Sequence, residues 1–348
     1  MRRDELPLQS PDLTAGLYHC CPPGTTPGEA LRRLVAAGLP LPPRPAGGAT
    51  LQRWRMLAQV GEHDLSLAKL YEGHADALAI VQELAAPALA AQAGATWAVW
   101  AAEVPGARVQ LHQGADGQLR ISGTKAWCSG AQEVSHALLT AWRAHAQQPQ
   151  LVAVELRQPG ISMSCSEWMA VGMAASASAT VQFDAVPVTP VGAPGAYVNR
   201  PGFWQGGAGV AACWWGGARR IARALHTAAA TSDGRPGAPY QQAALGQVDV
   251  ALAGSAALLR EAARWIDAHP EGDARCQALR VRQAVEAAAR HVLDEVTRAL
   301  GATPLCRDSG FARHAADLAV FIRQSHGARD DAALGQALLA AGEAPWAL

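Results

Sequence analysis

The spacing of apolar positions changes twice along the chain. In "GEHDLSLAKLYEGHADALAIV", Leu67, Leu70, Tyr71, His74 and Leu78 recur at steps of three and four, which puts them on one helical face. That face carries a histidine. From about residue 93 the steps shorten to two, in "RVQLHQ", "QLRISG", "HALLTAW", "QLVAVEL" and "ATVQFDAVPV", divided by Gly, Asp and Pro turns such as "GADG". These runs predict the short strands of a small antiparallel β domain. Beyond about residue 203 helical spacing returns and is sustained. Val248, Leu252, Ser255, Leu259, Ala262 and Ile266 form one stripe; Ala278, Val281, Val285, Ala288, Val292, Val296 and Ala299 form another. Stripes of that length predict an antiparallel bundle of long helices, with a face open to a second subunit. The expected division is helical over 1–92, β over 93–195 and helical over 196–348. No internal repeat interrupts it.

Composition narrows the function classes. A chain of 348 residues buries a large core, and its 29 basic against 29 acidic residues leave no positive excess for a nucleic-acid groove or a polybasic membrane anchor. The seven cysteines form no CxxC pair and no regular spacing, which predicts free thiols in a reducing compartment and no metal site. "MRRDELPLQSPDL" lacks the apolar core of a signal peptide, and no uninterrupted apolar run reaches membrane-spanning length. The expectation is a cytoplasmic protein with neither nucleic-acid nor membrane partners.

Within the β region, "LRISGTKAWCSGA" begins as a half-buried strand and ends with Trp127, Cys128, Ser129 and a glycine. Together with "DLSLAKLYEGHADAL", "ATVQFDAVPV" and the helix pair "GVAACWWGGARRIARAL" and "AALGQVDVALAGSAALLREAARWID", in that order, it resembles the acyl-CoA dehydrogenase family of flavoproteins. The resemblance spans most of the chain. It implies an α+β, mostly α fold: an N-terminal helical domain, a central antiparallel β-barrel or sandwich, and a C-terminal long-helix bundle. It also implies FAD, and a homodimer or homotetramer.

Carried over by that resemblance, Trp127 covers the flavin ring and Ser129 supplies a hydroxyl to it, with Cys128 between them. On the local residues alone, a strand-end tryptophan in an ordinary core with a serine capping a turn is the favoured reading. An earlier flavin-facing strand matches "WAVWAAEVPGARV", which puts Val99 and the backbones of Trp100 and Ala101 beside the ring. There the family's threonine is replaced and its glycine-serine turn shortened. At the junction "SDGRPGAPYQQAALG", Arg235 and Gln242 stand where the family binds the rest of FAD, Arg235 as a charge-assisted phosphate donor. An exposed loop arginine is the plain alternative.

The chemistry departs from the family. Dehydrogenation of an acyl thioester needs a base for the α-proton, and the family uses a glutamate. Near the C-terminus, "FIRQSHGARDD" offers His326, or Gln324 in a shifted alignment, and the other family location, "FWQGGAGVAACWWGGARR", holds no carboxylate. His326 is therefore the candidate base. A branch of the same fold runs flavin-dependent oxygenation with histidines near the flavin, which makes His74 a second catalytic candidate, although a histidine on an apolar face is commonly a satisfied core residue. The arginine and aspartate that hold a CoA arm have no counterpart. The resemblance thus implies α,β-dehydrogenation of an acyl-CoA or similar thioester, with electron-transfer flavoprotein or O2 as acceptor. Two alternatives stay open: a flavin-dependent monooxygenase, and a binding or assembly subunit without chemistry.

Overall fold

The computed structural model describes residues 11–22, 24–39, 41–84, 86, 89, 94–232, 237–341 and 346. The N-terminal helices are α1 (Pro11–Cys20), α2 (Pro27–Ala36), α3 (Thr50–His63) and α4 (Leu65–Glu83). Asp64 alone separates α3 from α4. Its extended backbone ends the first helix, and its carboxylate accepts the Leu67 N–H at 2.8 Å, capping the second. Helix α4 is buried on nearly every side, including at His74. That is the profile of a central core helix, not of a one-sided surface helix.

Two four-stranded sheets follow. One has the order β1 (Trp97–Trp100), β4 (His136–Ala141), β5 (Gln150–Glu155), β8 (Thr189–Val191). The other has the order β2 (Val109–Gln113), β3 (Leu119–Cys128), β7 (Ala179–Pro187), β6 (Ile161–Ser164). Every pairing is antiparallel except β1 with β4, which is parallel. The parallel pair leaves β1 at a sheet edge, facing α4.

The chain then forms α5 (Ala196–Asn199), α6 (Gly202–Gly207), α7 (Gly209–Ala230), α8 (Ala238–Ala268), α9 (Arg275–Leu300), α10 (Thr303–Arg307), α11 (Ser309–Phe321) and α12 (Ala328–Ala341). The "WWGG" of α7 is explained by its crossing with α3: a Cβ on Gly216 would overlap the Ala58 carbonyl. The stripes expected on α8 and α9 face inward, at Val248, Ser255, Leu259 and Ile266 and at Ala278, Val281, Val285, Val292 and Val296. The outer face of α8 leaves Tyr240 and Val250 exposed. Among the described residues α8 is the one helix long and apolar enough to cross a membrane by length and composition, and its inner stripe packs on α7 and α9. Helices at both ends of the chain around a two-sheet β region make this an α+β, mostly helical architecture, with α4 joining the two parts.

Candidate functional site

Strand β3 carries the sheet to its rim and there loses register. The pairing with β7 slips between Lys125 and Cys128, and Trp127 adopts a left-handed backbone, φ 58°. For a residue with a bulky side chain that geometry costs about 1–2 kcal/mol, and a bulge re-aims the side chain it carries. The Trp127 indole is 64% exposed. Cys128 takes the opposite direction: its thiol is buried against the Lys125 carbonyl at 3.3 Å, and burial pushes its pKa up to about 12, so it is an inert thiol behind the bulge.

The underside of the bulge is anchored. Lys125, 1% exposed, places its ammonium 3.0 Å from Glu103 Oε1 and 2.8 Å from Thr140 Oγ1. Thr140 donates to Glu103 at 2.5 Å and the Trp142 indole N–H donates to its other oxygen at 3.1 Å. Burial pulls the Lys125 pKa down and Glu103 opposes it. Past the bulge, the Ser129 carbonyl accepts the Trp100 indole N–H at 3.2 Å, and its hydroxyl lies 2.9 Å from the Ser178 hydroxyl. Gly130, at φ +68°, sits against Leu70 of α4, where a Cβ would press on the leucine.

The other wall is the open edge of β1. His136 N–H donates to the Thr96 carbonyl, so even-numbered residues turn toward β4 and odd-numbered ones turn outward. Trp97 N–H accordingly points outward and donates to His74 Nδ1 at 3.2 Å. Val99 shares that outward direction, and opposite it stands Gly73, where an added Cβ would come within 3.9 Å of the Val99 nitrogen. The crevice between α4 and β1 is lined by Lys69, Leu70, Gly73, Val99, Trp100 and Ser129 and encloses ≈ 10 Å³. That is room for about one water molecule. Both Trp97 and Trp100 are buried in the β region.

The structure therefore brings Val99, Trp100 and Ser129 together, with Trp127 on the neighbouring bulge and Ala101 half-buried just past β1. The histidines lie otherwise. His74, 2% exposed, is a stitch between α4 and β1: Nδ1 accepts a backbone N–H, and burial lowers its pKa to about 4, so the ring is neutral. His326 follows the turn after α11 with its side chain 62% exposed. Asp330 accepts from its backbone N–H at 3.1 Å and lies 3.2 Å from its Nδ1, closing the first turn of α12. Gln242 is exposed near the start of α8, and Arg235 lies outside the described residues.

Sequence reasoning passed over Lys69 and Glu72, whose charged groups are 3.6 Å apart on α4. A charged pair three residues apart reads as a solvated face. The signal available was the surrounding run: a helix apolar all round leaves its few charges no solvent side to occupy.

Helical N- and C-terminal parts around a two-sheet β region make this the acyl-CoA dehydrogenase fold. Solved structures of that fold align along nearly the whole chain. Dibenzothiophene monooxygenase (TdsC) from Paenibacillus sp. A11-2 matches at 22% identity, over 90% of this chain and 89% of that one, with a TM-score of 0.72. KijD3, in complex with FMN and dTDP-3-amino-2,3,6-trideoxy-4-keto-3-methyl-D-glucose, matches at 18% identity over 96% and 95%, with a TM-score of 0.79. Butyryl-CoA dehydrogenase from Megasphaera elsdenii matches at 15% identity over 97% and 100%, with a TM-score of 0.80. No protein-family model and no curated protein sequence matches the chain.

Proposed function

We propose that the chain is a flavin-dependent oxidoreductase that seats FAD or FMN against Trp127 and the outer edge of β1. The observation that carries this reading is Trp127 itself. A non-glycine residue held in a costly left-handed geometry presents a large apolar ring to solvent, while Lys125 beneath it is bonded to Glu103 and Thr140.

The residues fit a flavin. Trp127 is an aromatic wall, Ser129 brings a hydroxyl, and the Val99 edge opposite Gly73 offers backbone polar groups to a heterocycle's rim. The crevice is too small to enclose a tricycle, so it takes only a polar edge of the ligand. The ring face is left to the open surface, and a second copy of the chain, in a homodimer or homotetramer, is the natural cover for it. FMN in the KijD3 complex supports a flavin without fixing which one.

A bound flavin supplies two-electron acceptance from a substrate or, once reduced, reaction with O2. Of the two, the chain's own residues favour oxygenation over acyl-CoA dehydrogenation. Dehydrogenation needs a placed base; His326 faces solvent and Asp330, His74 is committed to Trp97, and α7 holds no carboxylate. Oxygenation asks instead for a dry, hydrogen-bonding surface beside the ring, the character of the Val99, Trp100 and Ser129 wall. The monooxygenase among the structural neighbours supports this choice. O2 is then the acceptor, in place of electron-transfer flavoprotein.

The test is to load the purified protein with FMN or FAD, photoreduce it, and follow O2 consumption beside bleaching of the oxidised form by a panel of acyl-CoAs. Rapid O2 uptake without bleaching is the expected result. Bleaching by an acyl-CoA restores the dehydrogenase reading, and protein that stays colourless with either flavin supports the assembly-subunit alternative.

A further inference from the structure

Among the described residues that line the crevice between α4 and β1, Lys69 is the only charged one. Its ammonium lies 3.6 Å from Glu72 Oε2, and the two side chains are only 21% and 12% exposed. Behind them on α3 and α4, the Arg53 guanidinium, itself buried, stands 3.8 Å from Asp76 Oδ1. Arg53 Nε and Asp76 Oδ1 have no hydrogen-bond partner. A row of alternating charges inside the helical core stabilises the fold little, because desolvation offsets most of the attraction. Such rows cluster where a site needs a controlled charge.

Resting on the flavin reading above, we propose that Lys69 is the cation that meets the polar rim of the bound flavin, and that Glu72 moderates its strength. Reducing a flavin adds negative charge to the ring. A cation in a poorly solvated crevice therefore holds the reduced ring more tightly than the oxidised one, and an anion beside that cation cancels part of the effect. Burial pushes the pKa of Glu72 above the ordinary carboxylate value, and Lys69 beside it opposes the rise.

The two residues predict shifts of opposite sign. The measurement is the two-electron midpoint potential of the flavin-loaded full chain at about pH 8.5, well above the ordinary carboxylate range. Lys69→Met is expected to weaken binding of reduced relative to oxidised flavin about tenfold, a fall of about 30 mV for a two-electron couple. Glu72→Gln is expected to raise the potential, and Lys69→Arg to keep it near the wild type. A merely structural role moves both variants the same way or leaves the potential alone. Should Lys69→Met fail to fold, the sign of the Glu72→Gln shift decides the matter. Flavin-loaded wild type with unshifted potentials in both charge-removing variants overturns this inference alone, whereas wild type that takes up no flavin ends the flavin reading and this one with it.

Discussion

The rim of the sheet and the turn before α12 both sit where the family resemblance directs attention, and they are built in opposite ways. At the rim, Lys125, Glu103, Thr140 and Trp142 consume one another's hydrogen-bonding capacity beneath the bulge, and the upper surface is left as bare indole. At the helix turn, the backbone N–H and the ring nitrogen of His326 are both turned to Asp330. His74 is committed in the same manner, with its Nδ1 given to Trp97. A residue type in a suggestive position is weak evidence. Whether its bonding capacity is already used inside the chain separates a site from a scaffold.

The largest expected effect comes from the scaffold histidines. Burial holds His74 near pKa 4 and, with Arg220 nearby, His314 near 3, against an ordinary value of 6.5. Between about pH 6.5 and 4 the unfolded chain takes protons that the folded one refuses. Stability is thus complete above that interval and is lost as pH falls through it, by about 3 kcal/mol or more from the two together. Urea unfolding at the two ends of the interval checks this, and His74→Asn should flatten the dependence. A pH-independent midpoint would mean that His74 is solvated and free for other work, erasing its contrast with Trp127.

Next in size, Lys125→Met removes the partner of Glu103 and Thr140 under the bulge and should cost about 1–2 kcal/mol, because the lysine is buried while the glutamate left behind keeps part of its hydration, its side chain being 34% exposed. The same variant should loosen the rim and weaken flavin uptake. Urea midpoints together with a flavin titration test both halves. The smallest effect is expected at the helix turn: His326→Ala should change stability by no more than about 0.5 kcal/mol and leave turnover intact. A tenfold loss of turnover in that variant, at unchanged unfolding midpoint, would turn the comparison around.

What the sequence made legible follows from how evenly each segment is buried. The stripes on α8 and α9 were readable because only one face of each helix is indoors. Strands β2, β3, β4, β5 and β7 announced themselves through apolar spacing, but Ile161–Ser164 and Thr189–Val191 are short and half-exposed, with little apolar content to alternate. The parallel pairing of β1 with β4 has no local signature at all. At the site, the aromatic and hydroxyl of the "AWCSG" turn were visible, whereas the left-handed backbone at Trp127 was not, since it comes from a register slip against the distant β7. Lys69 and Glu72 were hidden for a different reason: helical spacing reports which residues share a face, not that nearly every face of α4 is enclosed.

The central claim is that the exposed indole on the β3 bulge is one wall of a flavin site. Titration of wild type and Trp127→Ala with FMN and with FAD tests it most directly. The account predicts saturable uptake by the wild type and affinity at least about tenfold lower, about 1.4 kcal/mol, in the variant. The melting temperature should stay close to that of the wild type, because the replaced side chain is largely in solvent. Equal affinity in the two proteins would contradict it.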